Sequence, residues 1–122
     1  MRPLLHPAAE DITVEALLHA LADPVRVAIC TGLSGPGCSL NCSSFRDIRN
    51  EPIPKSTLSQ HFRILREAGL IRSERRGVEI LNSSRFAEVE ARFPGLLAAI
   101  VNAHRIQLAE KEASSKKRKR AD

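Results

Sequence analysis

The stretch from residue 54 to residue 69 carries side chains that suit contact with DNA. At ~100° per residue, a helix through this stretch separates its side chains into two arcs. The polar arc consists of Lys55, Ser56, Ser59, Gln60, Arg63, Arg66 and Glu67. The apolar arc consists of Leu58, Phe62, Ile64, Leu65 and Ala68. Amides can pair with adenine and basic groups with guanine in a major groove, and short hydroxyls let a helix approach phosphates. A solvent-facing amphipathic helix is the alternative for this face taken alone.

Two residues set the bounds of this helix. Pro54 suits the first helical turn because its φ is fixed near a helical value and it lacks an N–H. Gly69 suits the stop because glycine accepts the left-handed conformation that follows many helices. About four turns therefore lie between them.

A basic hairpin is predicted directly after this helix. Two short β-prone runs within residues 70–82 flank Arg76-Gly77, which is a compact turn signal. Arg75 and Arg76 would then lie at the tip, where they could reach backbone phosphates or a minor groove. A helix presented to a groove and followed by such a hairpin is the outline of a winged helix-turn-helix.

Three segments resemble the ArsR/SmtB family of bacterial transcriptional repressors. They are LADPVR at 21–26, KSTLSQHF at 55–62 and LREAGLI at 65–71. The resemblance covers roughly residues 13–100. It implies a mainly α fold with a small β-hairpin, dimerisation through the first and last helices, and double-stranded DNA as partner. It also implies that a metal ion, a metalloid or a redox signal often releases such a protein from its operator.

The predicted DNA contacts follow from the polar arc, the hairpin and this resemblance. They are Lys55, Ser56, Thr57, Ser59, Gln60, Arg63, Arg75 and Arg76. Pro54 departs from the family, which more often has a capping serine at this position.

The remaining chain supplies the elements that would hold this unit. Thr13 and Asp23-Pro24 are predicted helix starts. Helices are predicted at 14–21, 24–33, 44–49, 85–91 and 96–110, with a Gly/Pro-rich loop at 34–43. The helix-turn-helix unit would span 43–68. Three parts result: an irregular arm at 1–12, the winged helix-turn-helix and dimerisation domain at 13–110, and a basic disordered tail at 111–122. The tail could add sequence-independent DNA affinity or pass for a nuclear import signal, but we expect a solvated terminus.

Composition narrows the class of protein. The 122 residues favour one domain, and the aromatic content of 3% argues against a single-strand platform built on base stacking. Residues 46–76 contain eight Lys or Arg against four Asp or Glu, so basic excess lies on the proposed DNA-reading segment. No apolar run approaches ~20 residues and no secretory signal is evident, which predicts a cytoplasmic protein without a membrane partner.

The three cysteines raise the question of a sensor. Cys38 and Cys42 lie in the predicted loop and Cys30 lies eight residues earlier. Three thiolates could bind a trivalent metalloid, or the thiols could respond to oxidants. The family's Cys-x-Cys motif is absent, and His104 stands alone in the last helix. We therefore expect no cofactor and no metal site, with a thiol sensor at Cys30, Cys38 and Cys42 as the open alternative.

The sequence predicts a regulator and not an enzyme. No nucleophile elbow, Walker loop or metalloprotease motif is present. The favoured interpretation is a homodimeric, sequence-specific repressor on a two-fold symmetric operator. The alternative is a winged-helix protein-interaction or dimerisation module that does not read DNA.

Overall fold

The computed structural model describes residues 4–33, 39–41 and 53–121 of the chain. A short 3-10 helix at Ala9–Asp11 comes first. It is followed by α1 (Val14–Ala20), α2 (Pro24–Gly32), β1 (Ser39–Asn41), α3 (Lys55–Ala68), β2 (Ile71–Arg76), β3 (Glu79–Ser84), α4 (Phe86–Arg92) and α5 (Leu96–Ala121). The helix predicted at 44–49 lies outside the described residues.

The first two helices begin where their capping residues predict. The Thr13 hydroxyl accepts a hydrogen bond from the Ala16 amide at 3.1 Å. The Asp23 carboxylate accepts one from the Val25 amide at 2.7 Å, and Pro24 occupies the first position of α2. Each cap satisfies an amide that the helix itself leaves unpaired.

α3 has the predicted two-faced character. Its buried residues are Leu58, Phe62, Leu65 and Ala68, which form part of the core. Pro54 lies one position before the helix, at ψ 140, and so marks its start instead of belonging to its first turn. Gly69 ends the helix at φ 91, as predicted.

Gly69 also lies against the N-terminal arm. A Cβ at this position would come within 2.5 Å of the Ile12 side chain. Ile12 is 2% exposed and belongs to the core with residues of α1, α2 and α3. The absence of a side chain at residue 69 therefore allows the arm to pack on the C-terminal end of α3.

The hairpin is confirmed, and it belongs to a three-stranded antiparallel sheet in the order β1-β3-β2. Arg76 pairs with Glu79 at its closed end. The prediction of an irregular loop over the whole of 34–43 is wrong for Ser39–Asn41, which pairs with β3 residues Leu81 to Ser83. A three-residue strand carries too short a pattern to be recognised locally, because its stability comes from pairing with a distant strand.

α5 is longer than the sequence analysis predicts. It continues to Ala121, past the predicted end near residue 110, so that the tail predicted to be disordered is helical up to that residue. The sequence has no glycine or proline after Gly95, and it is rich in alanine, glutamate, lysine and arginine, which are good helix formers. Among the described residues, none of the helices has the length and apolar character needed to cross a bilayer.

Candidate DNA-binding surface

The exposed face of α3 brings four of the predicted contact residues together. Ser56, Ser59, Gln60 and Arg63 are all exposed and line one open depression on the surface. They recur at helical spacing, so that successive turns present them on the same side. The buried residues of α3 anchor the helix from behind. The arrangement therefore offers hydroxyl, amide and guanidinium groups outward from a fixed backbone.

Lys55 and Thr57 flank this group at the start of α3. Both side chains are exposed, and at ~100° per residue they project to either side of Ser56. No side-chain cap closes the first turn, because Pro54 has no group that can accept a hydrogen bond from an amide there. The first amides of α3 carry the positive end of the helix dipole, an environment that suits a phosphate.

The two predicted wing arginines lie at the closed end of the hairpin but on opposite faces. Arg75 and Arg76 are both exposed. Alternation along β2 places Arg75 on the side of Ile71 and Ser73, the side that packs on α3. Arg76 lies on the other side, where its guanidinium is 3.3 Å from the Glu74 carboxylate. Exposed pairs of this kind contribute little stability, so a phosphate can compete for Arg76.

A buried hydrogen-bond network, which the sequence analysis missed, joins α3 to both strands of the wing. The Ser73 hydroxyl donates to Asn82 Oδ1 at 2.6 Å and accepts from Arg66 Nε at 3.0 Å. Ser73 is 5% exposed and Asn82 is fully buried. Arg66 thus turns toward the wing, although the sequence places it on the polar arc. A serine at a core-facing position of β2 could have indicated such a network, because a buried hydroxyl needs a hydrogen-bond partner.

The N-terminal arm extends this network. The Ser73 amide donates to His6 Nε2 at 2.9 Å, so the arm contacts the middle of β2. Burial, together with the charges of Arg72, Arg66 and Arg85, lowers the pKa of His6 from its ordinary value. Both the acceptor role of Nε2 and this shift favour the neutral imidazole.

Arg85, which is 3% exposed, holds the same arm from the far end of the sheet. Its guanidinium donates to the Pro7 carbonyl oxygen at 2.8 Å and to the Glu88 carboxylate at 2.8 Å. The hydrogen bond from Arg85 is the main cause that lowers the pKa of Glu88. The arm is therefore fixed to the wing side of the domain by two independent contacts.

Arg26 connects α1 with α3. Its Nε donates to the Ala20 carbonyl oxygen at 2.6 Å and a terminal nitrogen donates to the His19 carbonyl oxygen at 3.2 Å. Its other terminal nitrogen lies 3.3 Å from His61 Nδ1 on α3. The sequence left open whether Arg26 pairs or contacts phosphate. Its burial at 9% exposure and these contacts place it inside the protein.

The structure describes one of the three proposed sensor cysteines, Cys30. Cys38 and Cys42 lie outside the described residues. Cys30 packs against the core, and burial raises the pKa of its thiol to about 12. A thiol of this kind is protonated at neutral pH and is therefore a poor nucleophile and metal ligand. Within the described residues, no three His, Cys, Asp or Glu side chains are grouped so that they could hold a metal ion.

An apolar-anchored helix with an outward polar face, followed by a hairpin with basic residues at its closed end, defines a winged helix-turn-helix protein. Residues 21–74 match the family model described as a helix-turn-helix domain. That match covers less than half of the 122 residues. A helix-turn-helix domain is a common DNA-binding unit of transcriptional regulators.

The fold is similar to that of an ArsR-like transcriptional regulator from Rhodococcus sp. RHA1. The two share 22% sequence identity with a TM-score of 0.51, over 84% of this chain and 89% of that chain. A comparison with curated proteins finds no match. The chain therefore has an ArsR-like winged helix-turn-helix fold, which confirms the fold that the sequence predicted.

Proposed function

We propose that this protein is a cytoplasmic homodimeric repressor that reads a two-fold symmetric DNA site. The observation that carries the proposal is the exposed group of Ser56, Ser59, Gln60 and Arg63 on the surface of a helix whose other face is buried. One such helix fills one major groove, and a symmetric dimer would place the second helix about one helical turn away.

In this proposal each side chain has a separate role. Gln60 contacts a base edge, because an amide can both donate to and accept from adenine. Ser56, Thr57 and Ser59 contact base edges or nearby phosphates. Lys55 and Arg63 act at the flanks of the helix, and the wing arginines contact the backbone from the hairpin tip.

Exposed apolar side chains on α1 and α5 support the dimer. Leu18 is 51% exposed on α1, and Ile106 and Leu108 are 52% and 45% exposed on α5. Large apolar side chains exposed on two helices favour burial against a partner. A second copy, paired through these helices, would cover them and align two reading helices.

The test begins by selecting bound duplexes from a random pool. We expect the selected site to be two-fold symmetric. Gln60→Ala should then weaken binding to that site by about 1–3 kcal/mol and leave random DNA unaffected, because it removes a base contact. Thr31→Ala, which removes an exposed, uncharged polar side chain on α2 away from the proposed DNA and dimer surfaces, serves as the control. Arg75→Ala should weaken binding to all sequences together.

Two outcomes would contradict the proposal. Equal losses for Gln60→Ala on selected and random DNA would remove Gln60 from base reading. If the wild-type protein shows no salt-dependent duplex binding at all, the alternative of a protein-interaction module is favoured. Repeating the selection with arsenite, zinc and an oxidant tests whether an inducer exists, and Cys30→Ser tests whether the described cysteine takes part.

A further inference from the structure

The second half of α5 projects from the body of the domain. α5 is 26 residues long, which corresponds to about 39 Å at 1.5 Å per residue. Its first half packs on α2 and α4. Among the α5 side chains that the structure describes, His104 is the last that is half-buried, and every one from Arg105 to Arg118 is exposed. This part of the helix therefore has surface available on all sides.

The charges on this projecting helix are sorted along its length. Glu110, Lys111 and Glu112 come first, whereas Lys116, Lys117 and Arg118 follow with two further basic residues directly after them in the sequence. Lys117 and Arg118 have no acidic residue three or four positions before them, so neither can form a helical ion pair in that direction. Within the described part of the chain, none of the three basic side chains makes an ion pair or a hydrogen bond. Their charge is therefore available to a partner.

The residue types around these charges exclude two kinds of partner. After Leu108 the helix has no large apolar side chain. Insertion into a bilayer or docking in a groove of another protein uses an apolar face on the helix, and residues 109–118 have none. In addition, Lys116, Lys117 and Arg118 spread over about 200° of the helix circumference, so they do not form a single face. Such a distribution suits a polyanion that needs no shape complementarity.

We propose that Lys116, Lys117 and Arg118 form a second, sequence-independent DNA-binding element, which contacts backbone phosphates while α3 reads bases. This inference rests on the proposed function, because α3 and the wing hold the duplex near the chain. A tethered cationic segment then meets phosphates at high effective concentration. The helical conformation keeps the three charges together at a distance from the body of the domain.

The test measures binding to a random-sequence duplex of about 60 base pairs, long enough to extend beyond two half-sites one turn apart. The apparent association constant is determined at several salt concentrations for the full-length wild type and for the K116Q/K117Q/R118Q variant. Each phosphate contact contributes about −0.9 to the slope of log K against log salt. We expect the slope of the variant to be less steep by up to about 2.7 per chain.

Two matched variants separate charge from structure. K116R/K117R/R118K keeps all three charges and should retain the wild-type slope. E110Q/E112Q removes two nearby negative charges from the same helix and should strengthen binding to the random duplex. Circular dichroism should show unchanged helix content in all of them, because glutamine and arginine are good helix formers.

Equal slopes for the wild type and K116Q/K117Q/R118Q, with equal helix content, would overturn the inference. So would a charge-dependent loss of binding to phosphatidylserine vesicles without any change on DNA, which would assign the segment to a membrane surface. These outcomes are distinguishable from failure of the proposed function. That function fails if no sequence is selected over random DNA, whereas the difference in slope between the wild type and K116Q/K117Q/R118Q on random DNA reports on the α5 segment.

Discussion

Removing the Ser73 hydroxyl should destabilise the protein through the joint between α3 and the wing. In the wild type this hydroxyl donates to Asn82 Oδ1 and accepts from Arg66 Nε, at 2.6 and 3.0 Å. Ser73→Ala keeps the hydrogen bond from the backbone amide of residue 73 to His6, so the change isolates the contacts of the hydroxyl. The Arg66 bond involves a charged group and the Asn82 bond is buried. Together their loss should lower the free energy of unfolding by about 2–4 kcal/mol.

Urea denaturation measures this loss. With a typical denaturant dependence for a small protein, the midpoint should fall by roughly 1–2 M while the slope stays the same. Ser83→Ala is the matched control, since Ser83 is half-buried on β3 and its hydroxyl makes no hydrogen bond within the described part of the chain. A loss below about 0.5 kcal/mol for Ser73→Ala, or one equal to that of Ser83→Ala, would refute the view that this network holds the wing to α3.

Three further changes test the arm, the end of α3 and the Arg26 contacts. Folding lowers the pKa of His6, so the unfolded chain binds more protons below the ordinary value of 6.5, and the free energy of unfolding should fall as the pH drops through this range. The difference in this free energy between the wild type and His6→Gln, measured by urea titration at each pH, isolates the contribution of His6. A difference that does not depend on pH would contradict it. Gly69→Ala should lower the free energy of unfolding by about 2–4 kcal/mol, because φ is positive there and the new Cβ meets Ile12. At Gly77, φ is also positive but the space is open, so Gly77→Ala should lower it by only about 1–2 kcal/mol. Equal losses would show that the contact with Ile12 has no effect. Arg26→Met should lower the free energy of unfolding by about 2–4 kcal/mol, since it removes charged donors from two carbonyl oxygens, and a neutral result in thermal melts would show that water replaces them.

Features set by neighbouring residues were predictable from the sequence. The caps at Thr13 and Asp23 and the end of α3 at Gly69 depend on one or two residues each, and the structure has all three. The turn at Gly77 was predicted for the same reason. Local conformational preference was sufficient in these cases because no distant residue competes with it.

Features that depend on distant pairing were not predictable. β1 forms through pairing with residues 40 to 44 positions away, and its own three residues carry no strand pattern. The roles of Arg26 and Arg85 also escaped sequence analysis, because a buried arginine cannot be distinguished from a surface one until its carbonyl partners are known. The length of α5 was underestimated since charge was given more weight than helix propensity.

The predicted contact residues of α3 and the wing occupy the expected elements, and all are exposed. Their exposure could be predicted because the apolar residues of α3 determine which side is buried. The network behind them was not predicted, because a serine at a core-facing strand position does not by itself show that its partners are Asn82 and Arg66. Which base each side chain contacts stays a prediction.

The contacts of the N-terminal arm have a consequence for synthesis on the ribosome. His6 accepts a hydrogen bond from the amide of Ser73, 67 positions later, and the Ala9 carbonyl oxygen accepts one from Arg92, 83 positions later. At about 5–20 residues per second, the arm leaves the ribosome roughly 3–17 s before these partners have been added. The arm therefore cannot pack until residues that are synthesised later have been added, and the Ser73 amide of β2 lacks its His6 acceptor until the arm packs.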